Sequence, residues 1–191
     1  MLEELLQLDK DFFLFLNGLG TPQWDTFFQF ITNKFSAIPL YIFLLLLSYQ
    51  KYGGKKTMVL LVSIALLITV TDQLGNFFKY GVARLRPCHD PEVEPYMRLV
   101  KSYCGGKFGY FSAHASNSFA IAVFFGSILR SSIKYLGIFL VLWAALVAFS
   151  RVYIGVHFPL DIITGAVIGS LFGWLFVKLF IFALRKFSLF F

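Results

Sequence analysis

The chain has 191 residues, of which 58% are hydrophobic, 19% aromatic and only 14% charged. Soluble domains run about 45–50% apolar and about 25% charged, so this composition excludes a disordered chain, a collagen and a disulfide-dense secreted module. Twenty-five Phe and a net charge of +7 predict one helical membrane domain with basic residues flanking its spans, and no nucleic-acid partner.

The N-terminal segment is acidic up to Asp11 and lacks a basic leader and a small-residue cleavage site, so no cleavable signal is expected. Apolar residues 12–16 and 27–31 are divided by Asn17-Gly18-Leu19-Gly20-Thr21-Pro22. Glycine and proline together punctuate a helix, which predicts two short helices in the outer interface. A sixth span is the alternative. The expected organisation is residues 1–34 as interfacial helices and residues 35–187 as the transmembrane core.

Five apolar stretches follow, at residues 36–49, 57–78, 115–129, 135–149 and 162–184. A span needs about 20 helical residues. Only two stretches reach that length, so polar residues must continue the other three helices. The fold class expected is an all-α integral membrane bundle with about five transmembrane helices. Two short connectors and the tail carry Lys51, Lys55, Lys56, Arg130, Lys134, Arg185 and Lys186 without an acid. The positive-inside rule places them in the cytoplasm. Residues 1–33, 79–114 and 150–161 then share the opposite face.

That face carries three polar clusters. Lys79 is followed after six residues by Arg86-Pro87. An ionisable group at the end of an apolar run is a functional candidate, although a terminal lysine also snorkels to the interface. By that plainer reading Arg84 and Arg86 are ordinary flanking charges. The second cluster is Phe111-Ser112-Ala113-His114, where Ser112 suits an N-cap and a helix N-terminus can bind an anion. The third is Ser150-Arg151, then His157, then Asp161. A carboxylate four residues after a histidine shares its helical face and can fix its tautomer. Three cations, two histidines and a carboxylate on one face describe a site for a multiply charged oxyanion. The cations would repel a divalent metal, so no metal and no cofactor are expected.

These three motifs resemble the type 2 phosphatidic acid phosphatase superfamily, with its K-x6-R-P, P-S-G-H and S-R-x5-H-x3-D signatures. The first and third match in full. The second departs, with Phe111 for proline and Ala113 for glycine. The motifs run from Lys79 to Asp161, and the helix layout extends the resemblance over residues 36–184. It implies that Lys79, Arg86 and Arg151 grip phosphate oxygens, with Ser112 and the Ala113 N–H completing the cradle. His157 would attack phosphorus, Asp161 would orient it, and His114 would protonate the leaving alkoxide and then activate water. Ser150 belongs to the motif without an assigned role. The implied enzyme is a metal-independent phosphatase acting on a lipid phosphomonoester or pyrophosphate through a phosphohistidine. Candidate substrates are phosphatidic acid, phosphatidylglycerophosphate, undecaprenyl pyrophosphate and a lipid A phosphate. The expected setting is a bacterial inner membrane with the site facing the periplasm. A non-enzymatic lipid-binding or transport protein of the same fold, and a vanadate-dependent haloperoxidase, are the alternatives. The sequence carries no signal of oligomeric state.

Smaller features complete the reading. Cys88 and Cys104 enclose an outer loop, where a disulfide is expected because such thiols oxidise outside the cytoplasm. Asp72 sits too far from Lys79 for a direct pair and is expected to find its partner on a neighbouring helix or in water. Asn76 is placed to orient Lys79. His89 reads as a loop residue. Arg98, Lys101 and Lys107 read as solvated charge, with contact to a second phosphate or a headgroup as the alternative.

Overall fold

A computed structural model describes residues 1–187. Its elements in chain order are α1 (Leu2–Gly18), α2 (Pro22–Thr32), α3 (Ile38–Val82), α4 (Ala113–Ile128), α5 (Leu136–Tyr153) and α6 (Pro159–Phe187). Two short 3-10 turns, Pro87–His89 and Glu94–Tyr96, lie between α3 and α4. Pro22 and Pro159 each open a helix, where proline's missing N–H costs nothing.

The first two apolar stretches form two helical arms, as expected. The connection between them is tighter than a loop of residues 50–56: helix continues from both sides and breaks at Gly53, with φ 74° and ψ 172°. Lysine and glutamine are good helix formers, and glycine alone takes a positive φ without steric cost. A straight helix of 45 residues would be roughly 68 Å long, about twice the hydrocarbon thickness of a bilayer. The break at Gly53 divides α3 into two apolar arms, so five arms are present in four helices. Lys51 Nζ and Tyr52 OH, beside the break, donate to the Ile128 carbonyl at the end of α4 (2.6 and 2.8 Å). A helix-terminal carbonyl without an intrahelical partner is satisfied there.

α3, α5 and α6 are long and apolar enough to cross a membrane, and α4 is a shorter apolar helix. The chain is an integral membrane protein. Leu46, Val62, Leu66, Leu142, Leu171 and Phe182 point outward from α3, α5 and α6, as lipid-facing side chains do. α4 is buried around most of its circumference and packs chiefly on α6, then on α5. A helix apolar all round belongs in the centre of a bundle. Of the short stretches, that of α5 is continued by polar residues, with Ser150 and Arg151 in its last turn, whereas α4 stays at 16 residues; Asp161 lies in the first turn of α6.

Gly165, Gly169 and Gly173 let α4 and α6 approach closely. Spaced by four, they lie over the α4 backbone at Ser112, Ser116 and Ala120, and a Cβ on Gly169 would sit 2.1 Å from the Ser116 carbonyl oxygen. Small residues at this spacing are the usual means of close helix packing in membranes. The glycines stand in the sequence at that spacing, a signal that motif reading passed over. Gly169→Val is therefore expected to destabilise the protein by about 3 kcal/mol or more through overpacking. A thermal melt in detergent checks this, and a midpoint unchanged from wild type would contradict the packing.

The N-terminal helices dock on the C-terminal end of α5 and the N-terminal end of α6. Asn17 is fully buried: its Nδ2 donates to the Arg98, Val152 and Tyr153 carbonyls, and its Oδ1 accepts from the Arg98 N–H. Tyr153 OH donates to the Thr21 carbonyl (2.8 Å), and Arg98 pairs with Asp25 of α2. α1 buries Asp9, Phe13 and Asn17 in this contact.

Candidate active site

The site is assembled where α3, α4, α5 and α6 end on one face. α3 stops after Lys79 with Ala83 in the left-handed conformation, φ 52°. The following loop folds back on itself. Arg86 N–H donates to the Lys107 carbonyl and Gly109 N–H to the Arg84 carbonyl. Cys88 and Cys104 pair as a disulfide across it, with their Cα atoms 6.1 Å apart. Arg86 is thereby fixed: its Nε donates to the Phe108 carbonyl (3.3 Å) and its Nη1 to the Val156 carbonyl (3.2 Å).

His157 lies in the turn between α5 and α6, almost completely buried. Its Nε2 is 3.3 Å from Arg86 Nη1 and its Nδ1 is 3.3 Å from Asp161 Oδ2. A guanidinium only donates, so Nε2 accepts and the proton resides on Nδ1, facing the carboxylate. That tautomer leaves the Nε2 lone pair directed at the cations. Burial, Arg86, Arg151 and Lys79 all hold the imidazole on the neutral side, well below the usual histidine range. Arg86 is likewise pressed below its ordinary value by burial.

Asp161 is fully buried and carries more partners than a histidine alone. Its Oδ2 accepts from the Phe158 N–H (3.0 Å), and its Oδ1 accepts from Arg84 Nη1 (3.0 Å). Arg84 Nη2 also reaches Asp9 Oδ2 of α1 (2.5 Å), and Asp9 Oδ1 accepts from the Leu160 N–H (2.9 Å) at the start of α6. Arg84 also lies over the Phe158 ring, 4.3 Å from its centroid. Arg84 is thus no ordinary flanking charge. A buried chain Asp9–Arg84–Asp161–His157 ties the N-terminal helix to the histidine. Burial is the largest influence on Asp9 and raises its carboxyl above the ordinary value, against the pull of Arg84.

Arg86, His114 and Arg151 line one cavity of about 480 Å³. Arg151 Nη1 donates to Thr32 Oγ1 at the end of α2 (2.6 Å), while its Nε is buried without a partner among the described residues. Ser112 caps α4 in extended conformation, and its buried Oγ is also unpartnered there. Its N–H donates to the Asp161 carbonyl (3.0 Å). Unmatched buried donors of this kind are costly in isolation. Lys79 Nζ makes no hydrogen bond among the described residues, and its charge is felt with those of Arg86 and Arg151.

Other residues separate from this constellation. Ser150 donates to the Val147 carbonyl (2.6 Å), a bond internal to α5. Ala113 opens α4, and it lines a second cavity of about 300 Å³ that adjoins the first at Thr32, Asn33, Lys34 and His114. Phe111 is fully buried with its ring 5.7 Å from that of Phe78, so an aromatic residue in place of proline fills a hole at the end of α3. Asp72 accepts from Asn117 Nδ2 of α4 (2.9 Å), the neighbouring-helix partner expected. Asn76 is exposed and makes no hydrogen bond to Lys79. Among the described residues His89 hydrogen-bonds only to the Gly105 carbonyl, at 3.4 Å.

Residues 56–185 match the PAP2 superfamily. The chain belongs to that superfamily. It is similar to the lipid A 4'-phosphatase of Bacteroides thetaiotaomicron, 39% identical over 179 residues that cover 92% of this chain and 78% of that protein. The lipid A 4'-phosphatase of Porphyromonas gingivalis is 36% identical over 183 residues, covering 95% and 77%. In fold, the chain resembles the crystal structure of the PAP2 type phosphatidylglycerolphosphate phosphatase from Bacillus subtilis, with TM-score 0.73 at 19% identity over 92% of this chain and 86% of that one. The protein is a PAP2-type membrane phosphatase.

Proposed function

We propose that this PAP2 phosphatase hydrolyses a phosphate monoester of a lipid A-type glycolipid through a phosphohistidine on His157, at the periplasmic face of a bacterial inner membrane. The observation that carries the chemistry is the orientation of His157, with Nδ1–H on Asp161 and Nε2 turned to Arg86. The two lipid A 4'-phosphatases support the substrate. The placement of Lys51, Lys55, Lys56, Arg130 and Lys134 at the opposite end supports the orientation.

The steps follow from the atoms. The phosphoryl group enters among Lys79, Arg86 and Arg151, and Arg86 Nη1 redirects its hydrogen bond from His157 Nε2 to a phosphate oxygen, keeping its proton. The freed Nε2 lone pair forms an N–P bond as the P–O ester bond breaks. The departing alkoxide takes a proton that His114 acquires from solvent as the phosphate anion binds beside it. His114 then removes a proton from water, the hydroxide attacks phosphorus, the N–P bond breaks and phosphate leaves. Positioning and charge stabilisation carry most of such a transfer. Here the three cations supply the charge. Asp161 stabilises the imidazolium that forms during attack, as in other carboxylate–histidine pairs.

Phosphate release from purified protein in detergent tests the reading. The substrates are lipid A, phosphatidic acid, phosphatidylglycerophosphate and undecaprenyl diphosphate, each with and without a metal chelator. The expected result is chelator-resistant release, fastest on lipid A. Release abolished by chelator would contradict the cation mechanism, and a preferred substrate other than lipid A would contradict the substrate.

A further inference from the structure

The cavity beside His114 holds more positive charge than one phosphate needs. Besides Arg86 and Arg151 it is lined by Lys34 and Lys101, and no Asp or Glu lines it among the described residues. Its volume of about 480 Å³ falls in the range of whole-ligand pockets. Neither lysine has an acidic partner among the described residues, whereas Lys10, Arg84 and Arg98 each do.

Both lysines are held beside Arg151 by the backbone. Thr32, which accepts from Arg151, ends α2 two residues before Lys34. Asn33 between them folds the chain by accepting the Phe35 N–H on its side chain (3.0 Å). Lys101 follows Val100, whose N–H donates to the Ile154 carbonyl (3.3 Å) and whose carbonyl accepts from Gln29 Nε2 (3.3 Å). Gln29 lines the same cavity. Burial and the Arg151 charge both push the Lys101 ammonium below its ordinary value. A nearby anion reverses that push. Two chain segments outside the PAP2 motifs therefore converge on the cradle and bring a cation each.

We propose that Lys34 and Lys101 form a second anion subsite next to the phosphate cradle, so that the enzyme favours lipids bearing another negative group close to the scissile phosphate. This rests on the phosphate cradle assigned above and names the class of headgroup it serves. The subsite selects between headgroups. The chemical step remains with His157 and His114.

Calorimetric binding of inorganic phosphate and of methylenediphosphonate to the detergent-solubilised full chain tests it. Both anions need the cradle, and only the second spans two anionic positions. The wild type is expected to bind methylenediphosphonate at least tenfold more tightly than phosphate. Lys34→Gln combined with Lys101→Gln should remove that preference while phosphate binding stays within twofold. A preference that survives the double substitution, or an equal loss for both anions, would overturn the subsite. Absence of phosphate binding by folded wild type would instead remove the cradle reading, and the subsite with it. Hydrolysis of farnesyl diphosphate against farnesyl phosphate identifies the source of the second anion. A fall of about tenfold in kcat/KM confined to the diphosphate supports a lipid diphosphate. Binding preference without that fall supports a second charged group elsewhere on the headgroup.

Discussion

His157→Ala is expected to lower phosphate release by about four orders of magnitude or more, the scale on which enzymes lose activity when a nucleophile that acts as part of a unit is removed. Among the described residues the imidazole alone has a lone pair held against Arg86 and a proton held against Asp161. Because His157 is buried, truncation to alanine also leaves a hole, so His157→Asn serves as a second variant that keeps most of the volume. Both should be inactive, and the asparagine variant should melt near wild type. The pH profile adds a signed expectation. The attacking form is neutral, and the surroundings of His157 depress its proton affinity below that of a free histidine at 6.5. The acid limb of kcat/KM should then fall below pH 6.5, with activity retained as pH drops through that value. An acid limb above 6.5 would contradict a neutral nucleophile in this environment.

Arg84→Leu is expected to destabilise the protein by about 3–5 kcal/mol, because it leaves two buried carboxylates without their shared cation. The Asp9 and Asp161 side chains are 3% and 0% exposed, and Arg84 bonds to both. Activity should fall as well, since Asp161 loses the donor that opposes His157 and its carboxylate is free to turn. Arg84→Lys keeps the charge without the fork that reaches both acids at once, so it should lie between wild type and Arg84→Leu. The double variant Arg84→Leu with Asp9→Asn removes one of the stranded charges and should recover part of the melting midpoint. It should recover little of kcat, because Asp161 still lacks its partner. Equal melting of Arg84→Leu and wild type in detergent would show that the pair does not hold the fold.

Much of the candidate site was legible because its polar residues sit in short, ordered motifs. Lys79, Arg86, Arg151, His157 and Asp161 fall at helix ends or in the turn between helices, where polar residues interrupt apolar stretches. The apolar stretches in turn display the five arms. Arg84 and Asp9 were hidden for a physical reason. They lie 75 residues apart, and neither has a local pattern that distinguishes it from solvated charge. Asp9 stands on a short amphipathic helix among other acids, and only the tertiary contact shows that it is buried. Gly53 was likewise silent, since a lysine-rich stretch between apolar runs reads as a loop although lysine continues a helix well. Ser150 shows the converse: it belongs to a motif, yet its hydroxyl is satisfied inside α5.

A covalent bond between phosphorus and His157 Nε2 separates this mechanism from direct attack by water. Rapid acid-free quenching of the enzyme during turnover of lipid A, followed by mass spectrometry of its peptides under alkaline conditions, tests it most directly. A phosphoryl mass increment is expected on the peptide containing His157, stable in base, released by acid and absent from His157→Asn. An increment on His114, or steady turnover by His157→Asn with no phosphorylated peptide, would contradict it.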